Sequence, residues 1–279
     1  MVMLVLLLAA AALPPGTKLS EPISYKQVTI VPIVRTDQAI ENDFMSLKQG
    51  LSDKQVTVRE HGDVNSVVVE NRGEQTLLLV GGEMILGGQQ DRVIGQDTVI
   101  EPHQRKTVSV YCVEHGRWSG AASFGSVGGF VDAKVRTRAK VSRDQQKVWD
   151  EVAYKTESVK AVTPTGTYRA VGEKTREEVK PYREAILQKL AGVKDVVGLA
   201  VAVNGRIVSV DSFATPALFE QYRDRIVDAA VVGAQGTPAM EAPPPSPAAV
   251  EDFMKKAAKS TVRDGKGEPV YESGLPAEY

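Results

Sequence analysis

The chain has 279 residues, 42% hydrophobic and 25% charged, with a formal net charge of −1. This is an ordinary globular composition, and the length allows one large domain or two small ones. The charge balance shows no basic excess of the kind that indicates a nucleic-acid partner. The single cysteine, Cys112, excludes an intrachain disulfide and a cysteine-based zinc site, and the alternating run around it predicts a buried strand residue.

The N-terminus carries an unbroken apolar segment, Met1 to Leu13, followed by Pro14-Pro15-Gly16. The segment is shorter than the roughly 20 residues that a membrane span needs, and its length is typical of the h-region of a signal peptide. Residues 1–20 are therefore predicted to be a signal peptide. The protein would be exported to the periplasm or beyond the cell, with no membrane span after removal of the signal. A positive n-region is missing, and a buried N-terminal strand is the alternative.

The sequence of the first half of the chain predicts a series of short strands. Strands are expected at 27–34, 56–58, 64–70, 77–80, 84–86, 93–94, 98–100 and 107–113, and a helix at 37–50. Pro32 indicates an edge position for the first strand, and Gly81-Gly82 a bend between two others. The Gly/Ser-rich segment 119–132 predicts a long mobile loop that could close over a ligand. This spacing is typical of an antiparallel sheet or sandwich.

The second half has helical patterns and one hairpin. Capping boxes predict helices that begin at Ser142 and Thr175, the second one kinked or restarted at Pro181. Asn204-Gly205 between two apolar runs is the strongest short-range hairpin signal. Thr215-Pro216 predicts the start of a further helix. The expected fold class is α+β, with an antiparallel β-sheet or sandwich core from the first half and helices plus a β-hairpin from the second.

Composition also divides the chain into regions. Residues 21–232 form the expected globular domain, and residues 233–247 form a linker rich in proline and alanine. Residues 248–279 are expected to be a short helix and a polar tail, for which a protein partner is possible.

Two polar blocks between Leu77 and Trp118 are the candidate functional site. The first, GGQQDR at 87–92, joins paired glycines to Asp91 and Arg92. Such glycines can form an anion-binding nest, and Arg92 could clamp a carboxylate or a phosphate. The order of residues matches neither a Walker loop nor a dinucleotide fingerprint. The structural alternative is a strand crossover with an Asp91–Arg92 surface pair.

The second block, EHGRW at 114–118, ends a strand. Glu114 is a candidate general base, and strand alternation places it opposite His115 and Arg117, so that Glu114 and His115 do not converge. Asp211 could reach the same rim or cap the helix near Thr215. Three histidines without His-x-His or His-x₃-His spacing do not predict a metal site, and no familiar hydrolase motif is present.

The order of the two blocks resembles the ARG-and-rhodanese/phosphatase-superfamily-associated domain family, first type, over roughly residues 25–232. The matching positions are Gly82, Glu83, Gly87, Gln90, Asp91, Arg92, Cys112, Val113, Glu114, Gly116, Arg117 and Trp118. Gln89 stands where the family often has lysine and Asp91 where it often has asparagine, which weakens a phosphate-binding role. The family's name implies an association with ADP-ribosylglycohydrolases and with rhodanese-like or phosphatase domains. It implies at most a link to ADP-ribosyl or NAD-derived chemistry.

Three functions follow as hypotheses. In the first, an exported domain binds a small anionic or nucleotide-like ligand through the motif residues Glu83, Gln90, Glu114, Arg92, Arg117 and Trp118. The arginines would hold the anion, the carboxylates would accept hydrogen bonds, and Trp118 would stack. In the second, a hydrolase acts on an ADP-ribosyl or nucleotide-like substrate with Glu114 or Asp91 as general base. In the third, the arginines pair buried carboxylates and serve the fold. No cofactor and no metal is expected.

Overall fold

The computed structural model describes residues 13–37 and 43–278. The predicted signal peptide lies mostly outside these residues. The strands and helix of the first half are β1 (Thr17–Leu19), β2 (Ile23–Tyr25), β3 (Val28–Arg35), β4 (Phe44–Ser46), α1 (Leu47–Ser52), β5 (Val56–Glu60), β6 (Ser66–Asn71), β7 (Thr76–Leu79), β8 (Glu83–Gly87), β9 (Arg92–Ile94), β10 (Thr98–Ile100), β11 (Arg105–Cys112) and β12 (Ser123–Phe130).

The second half contributes six further helical segments and four strands. They are α2 (Ala133–Thr137), a π-helical turn (Arg138–Ser142), α3 (Gln145–Ser158), α4 (Arg169–Leu190), β13 (Val196–Val203), β14 (Arg206–Phe213), α5 (Pro216–Ala234), α6 (Pro247–Lys256), β15 (Ala258–Arg263) and β16 (Pro269–Leu275).

Six strands close into a small antiparallel barrel in the order β11-β6-β5-β12-β8-β9. Because side chains alternate along a strand, every second residue enters the barrel, and these are mainly valine and isoleucine. The three-stranded sheet β10-β7-β4 adds residues such as Leu77 and Leu79 to the same core, and its β4–β7 pair is parallel. The barrel thus holds one of the main hydrophobic cores of the described chain.

A seven-stranded antiparallel sheet in the order β1-β3-β13-β14-β16-β15, with β2 beside β3, forms the second unit of the architecture. Helices α4 and α5 pack on one face, and α6 packs on the other. Both faces of the central strand β13 are therefore covered, which explains its continuous apolar sequence. Within residues 13–37 and 43–278, no helix has the length and apolar character to span a membrane.

The α+β class with antiparallel sheets is confirmed. The hairpin lies where Asn204-Gly205 predicts it, and both residues have the positive φ of a type I′ turn, 50° and 75°. Helix α5 begins after Thr215, whose hydroxyl accepts a hydrogen bond from the Leu218 N–H at 3.1 Å. Cys112 is a buried residue of β11, as the alternation indicates.

Several local predictions are wrong, each because tertiary pairing decides the segment. Strand β3 is interior and not an edge, since β13 pairs with one side and β1 and β2 with the other. The carbonyl of Pro32 accepts a hydrogen bond from Ser20 N, in the connection between β1 and β2. In a strand, the N–H and the C=O of one residue point to the same side. The position where proline lacks an N–H therefore faces the connection between β1 and β2, where no strand residue pairs with Pro32. Most of the segment predicted as a mobile loop, Ser123–Phe130, forms β12 of the barrel.

Helix boundaries also differ from the capping patterns. Helix α3 is capped by Asp144, which accepts from Lys147 N at 3.1 Å, and Ser142 instead ends the π-helical turn. Helix α4 begins at Arg169, so Thr175 and Pro181 both lie inside it. The helix predicted for 37–50 is replaced by β4 and α1 in its described part.

The C-terminal segment is not a free polar tail. Strand β16 lies between β14 and β15 in the seven-stranded sheet, and its Val270, Tyr271 and Leu275 are each 1% exposed. The sequence did not indicate that this segment belongs to a sheet. Polar and apolar residues alternate in β15, because one face of this outer strand is exposed to solvent. A protein partner for this segment stays a prediction.

Candidate functional site

Arg92, from the first polar block, closes one end of the barrel. It lies on the strand face of Ile94, which belongs to the barrel core, so its side chain points inward and is 1% exposed. Its Nη2 contacts Glu60 Oε2 at 2.7 Å, and its Nη1 donates to the Val64 carbonyl at 2.6 Å. The guanidinium also packs over the ring of Phe124, 5.8 Å from its centroid. The predicted Asp91–Arg92 surface pair is therefore wrong, since both residues are buried.

Arg117, from the second block, is enclosed by acceptors. Its Nε donates to Glu114 Oε2 at 2.8 Å. Its Nη1 donates to the carbonyls of Gly88 and Ser119 at 2.9 and 3.1 Å. Its Nη2 donates to the Gly87 carbonyl at 3.3 Å and to Asp91 Oδ1 at 3.2 Å. A guanidinium has five N–H groups, so these five bonds use all of its donors.

A side chain of each block also bonds to the backbone of the other block. Glu114 Oε2 accepts from Asp91 N at 3.1 Å, and Glu114 Oε1 accepts from the Thr165 hydroxyl at 2.8 Å. Gln90 Nε2 donates to the Glu114 carbonyl at 2.8 Å. We call Gln90, Asp91, Glu114, Arg117 and Thr165 the motif clasp. It joins the two polar blocks and the loop before α4 into one network.

The prediction that Glu114 and Arg117 lie on opposite faces is wrong. Strand β11 ends at Cys112, and the chain then turns, with an isolated bridge between Glu114 and Thr167. Strand alternation no longer applies there, and the turn brings Arg117 back onto Glu114. His115 points elsewhere and packs edge-on against Trp149, with ring centroids 4.5 Å apart.

The two acids of the clasp have pKa values that shift in opposite directions. Burial raises the pKa of Asp91, and the neighbouring Glu114 carboxylate adds to this. Burial also acts to raise the pKa of Glu114, but hydrogen bonds from Arg117, Asp91 N and Thr165 outweigh it, and the pKa is lowered. Asp91 Oδ2 and Gln90 Oε1 are buried without a hydrogen-bond partner among the described residues, and Arg169 Nε lies 3.8 Å from Asp91 Oδ2.

Glu83 and Trp118 lie outside the clasp. Glu83, at the opposite end of β8 from Gly87, is fully buried, forms an ion pair with Arg225 and accepts from Val80 N at 2.9 Å. Trp118 is 56% exposed. The structure therefore brings together four of the predicted site residues, Gln90, Asp91, Glu114 and Arg117, and separates them from the other three.

Sequence reasoning missed a second buried network, which we call the junction cluster: Asp97, Arg136, Lys140, Asp211, Tyr271 and Ser273. Arg136 makes a bidentate pair with Asp211, at 3.0 and 2.7 Å, and donates to the Gly81 carbonyl at 2.8 Å. Lys140 contacts both oxygens of Asp97, at 2.9 and 2.8 Å, and Ser273 Oγ at 2.8 Å. The cluster links the turn before β8 to strands β14 and β16.

Asp211 therefore neither reaches the rim of the polar blocks nor caps a helix. Burial acts to raise its pKa, but the Arg136 guanidinium outweighs burial and lowers it. A signal was present in the sequence, because an aspartate inside the apolar run of β14 needs a buried partner. Nothing in the local sequence pointed to Arg136 as that partner.

Gly82 is required where Arg136 crosses the turn before β8. Its φ is +104°, and a Cβ there would lie 2.8 Å from both Cγ and Cδ of Arg136. We expect Gly82→Ala to lower the free energy of unfolding by about 1–3 kcal/mol more than Gly129→Ala. Gly129 has a similar φ of +98° but nothing within 4 Å, so it isolates the steric part. Equal losses in urea titrations of the two variants would contradict this account.

Several cavities of the described chain are large enough for small molecules. One of about 520 Å³ lies beside His115 and Trp149, and one of about 480 Å³ lies between α3, the end of α5 and the β13–β14 hairpin. Asp91, Glu114 and Arg117 line neither of them.

Fold and site together define an α+β protein in which a small barrel and a seven-stranded sheet are joined by buried ionic networks. The chain matches the family model of the ARG and Rhodanese-Phosphatase-superfamily-associated Protein domain over residues 16–273, and it belongs to that family. The match confirms the resemblance of the two polar blocks and extends to β15 and most of β16. The family has no established function. No curated protein and no solved structure matches the chain.

Proposed function

We propose that this domain binds a small anionic or nucleotide-like ligand away from its family motif, and that the motif serves the fold. The saturation of Arg117 carries the structural role of the motif, because all five of its N–H groups are bonded to acceptors of the protein. A ligand anion would have to displace Glu114 or Asp91 from it. Arg92 is enclosed in the barrel and paired with Glu60. These contacts favour the structural interpretation of the two blocks over the anion clamp.

The test compares ligand binding in the wild type and in Trp118→Ala. Trp118 is more than half exposed, so its replacement is expected to change stability by no more than about 0.5 kcal/mol. In thermal-shift titrations with ADP-ribose and adenosine nucleotides, we expect the two proteins to bind with equal affinity. If the Trp118→Ala protein folds normally but no longer binds the ligand, the binding site lies at the motif and the proposal is rejected.

A hydrolase is the second candidate, and one observation favours it. The two carboxyl groups of the clasp have pKa values that move apart, which is a pattern found in acid–base pairs, and Asp91 Oδ2 lacks a hydrogen-bond partner in the described chain. Asp91 would act as general base toward a water that attacks an ADP-ribosyl or nucleotide-like substrate. The expected result is product release by the wild type and none by a folded Asp91→Asn variant. Equal turnover, or none in either protein, would reject it.

Export and the link to ADP-ribosyl chemistry belong to the same proposal. Export is supported by the apolar segment from Met1 to Leu13, and the chemical link only by the family's name. A reporter fused after residue 30 should leave the cytoplasm, and a reporter that stays inside would reject export.

A further inference from the structure

The cavity of about 480 Å³ has the features of a binding site for a small organic anion. Its walls come from segments distant in sequence: the start of α2, one face of α3, the β13–β14 hairpin, and the end of α5 with the residues after it. The volume lies in the usual range of roughly 300–1,000 Å³ for small-molecule sites. We call it the Lys155 pocket.

The lining of this pocket carries more cationic than acidic side chains. Four cationic side chains line it, Lys134, Arg138, Lys155 and Arg206, against two acidic ones, Asp132 and Glu151. The chain as a whole has a formal net charge of −1. A concave surface with an excess of positive charge attracts anions and raises their local concentration.

Lys155 is the buried cation of the pocket, with 6% of its surface exposed. Its Nζ donates to the carbonyls of Gly233 and Gln235 at 2.9 and 2.7 Å, at the C-terminal end of α5. Among the described residues these bonds use two of its three N–H groups, and no hydrogen bond of the third is found there. A charge this deeply buried is costly without a full set of partners, so a bound anion would complete its environment.

The residues that follow α5 are held in place around the pocket. Asn204 Nδ2 donates to the Pro238 carbonyl at 3.0 Å, and Met240 N donates to Asn204 Oδ1 at 2.9 Å. The hairpin turn therefore fixes the segment that closes one side of the cavity. A site with fixed walls loses little ordering free energy when a ligand binds.

One wall offers a flat apolar surface beside these charges. Tyr154 is 59% exposed, and Lys134 Nζ lies over its ring, 5.1 Å from the centroid. Met240, 62% exposed, adds a flexible thioether to the same cavity. Planar rings stack on tyrosine, and methionine adapts to their edges.

We propose that the Lys155 pocket binds a small organic anion that carries a planar ring, of the nucleoside-phosphate class. The anionic group contacts the Lys155 ammonium and the arginines, and the ring lies against Tyr154. The inference rests on the proposed function, and it names the site and the ligand class.

The experiment is calorimetric titration of the full chain with adenosine monophosphate, adenosine and inorganic phosphate. We expect adenosine monophosphate to bind at least tenfold more tightly than either fragment, because only it uses both the charged and the planar wall. Its affinity should fall as salt is added. Tyr154→Ala and Arg206→Gln, both at exposed side chains, should each weaken it about tenfold. Arg176→Gln on α4 is the charge-matched control and should bind as the wild type does.

Each outcome has a separate meaning. If the wild type binds none of the three compounds, both the inference and the proposed function fail for this ligand class. If binding persists unchanged in Tyr154→Ala, Arg206→Gln and Trp118→Ala, the pocket is overturned while the proposed function stands. If binding is lost in Trp118→Ala alone, the ligand lies at the motif and both are rejected.

Discussion

Replacement of Arg136 by methionine is expected to lower the free energy of unfolding by about 3–5 kcal/mol. Methionine keeps much of the aliphatic volume, so the loss reports the missing charge and hydrogen bonds. Asp211 would remain buried without its bidentate partner, and the Gly81 carbonyl would lose its donor. Because the junction cluster joins the turn before β8 to the seven-stranded sheet, urea denaturation followed by circular dichroism should show the loss in the global transition.

Arg183→Met is the matched control for this experiment. Arg183 pairs with Asp224 and Asp228 at 2.8 and 2.7 Å, but its side chain is 37% exposed. Water screens such a pair, so the control should lose no more than about 1 kcal/mol. Similar losses in the two variants would mean that burial does not set the strength of the Arg136–Asp211 pair.

Arg117→Ala is expected to cost about 3 kcal/mol, because it leaves two carboxylates and three carbonyls short of donors. Arg117→Lys should recover only part of the loss, since an ammonium has three N–H groups and cannot reproduce the planar fork. Denaturation of both variants and the wild type measures this. An Arg117→Ala protein as stable as the wild type would contradict a structural role for the motif.

The stability difference between the wild type and Arg117→Ala is also expected to depend on pH. The folded pKa of Glu114 is lowered by its hydrogen bonds, with Arg117 the first of them, so its contribution to stability is full above the unfolded pKa and is lost as pH falls through the folded pKa. Burial raises the pKa of Asp91, so ionisation of this group lowers the stability of the folded protein as pH rises. Arg117→Ala removes the main cause of the Glu114 shift. The stability gap between wild type and variant should therefore narrow from pH 7 to about pH 3, and a constant gap would argue against the assignment.

Elements governed by local chemistry were predictable. Asn204-Gly205 adopts the positive φ values of its turn type, and Thr215-Pro216 begins a helix, because each depends on backbone preferences of adjacent residues. Segment 119–132 was not predictable in this way. Its glycines indicate a loop, yet two neighbouring strands supply the hydrogen bonds that make it β12.

The candidate site shows the same division. The two polar blocks were recognised as one signature, and the family match over residues 16–273 confirms it. Their contacts were not predictable, because they depend on where β11 ends and on which face of β9 enters the barrel. The turn after Cys112 placed Arg117 on Glu114, and barrel closure buried Arg92.

The sequence by itself determined the α+β class, the hairpin, the N-terminal cap of α5 and the family. Each of these depends on periodicity, turn chemistry or motif order, which are properties of neighbouring residues. Only the tertiary structure decided which charges are buried and with which partners, because Arg136 and Asp211, 75 positions apart, meet only when the barrel and the sheet pack together. It also decided that the motif arginines are bonded within the protein, and that the cationic cavity lies beside Lys155.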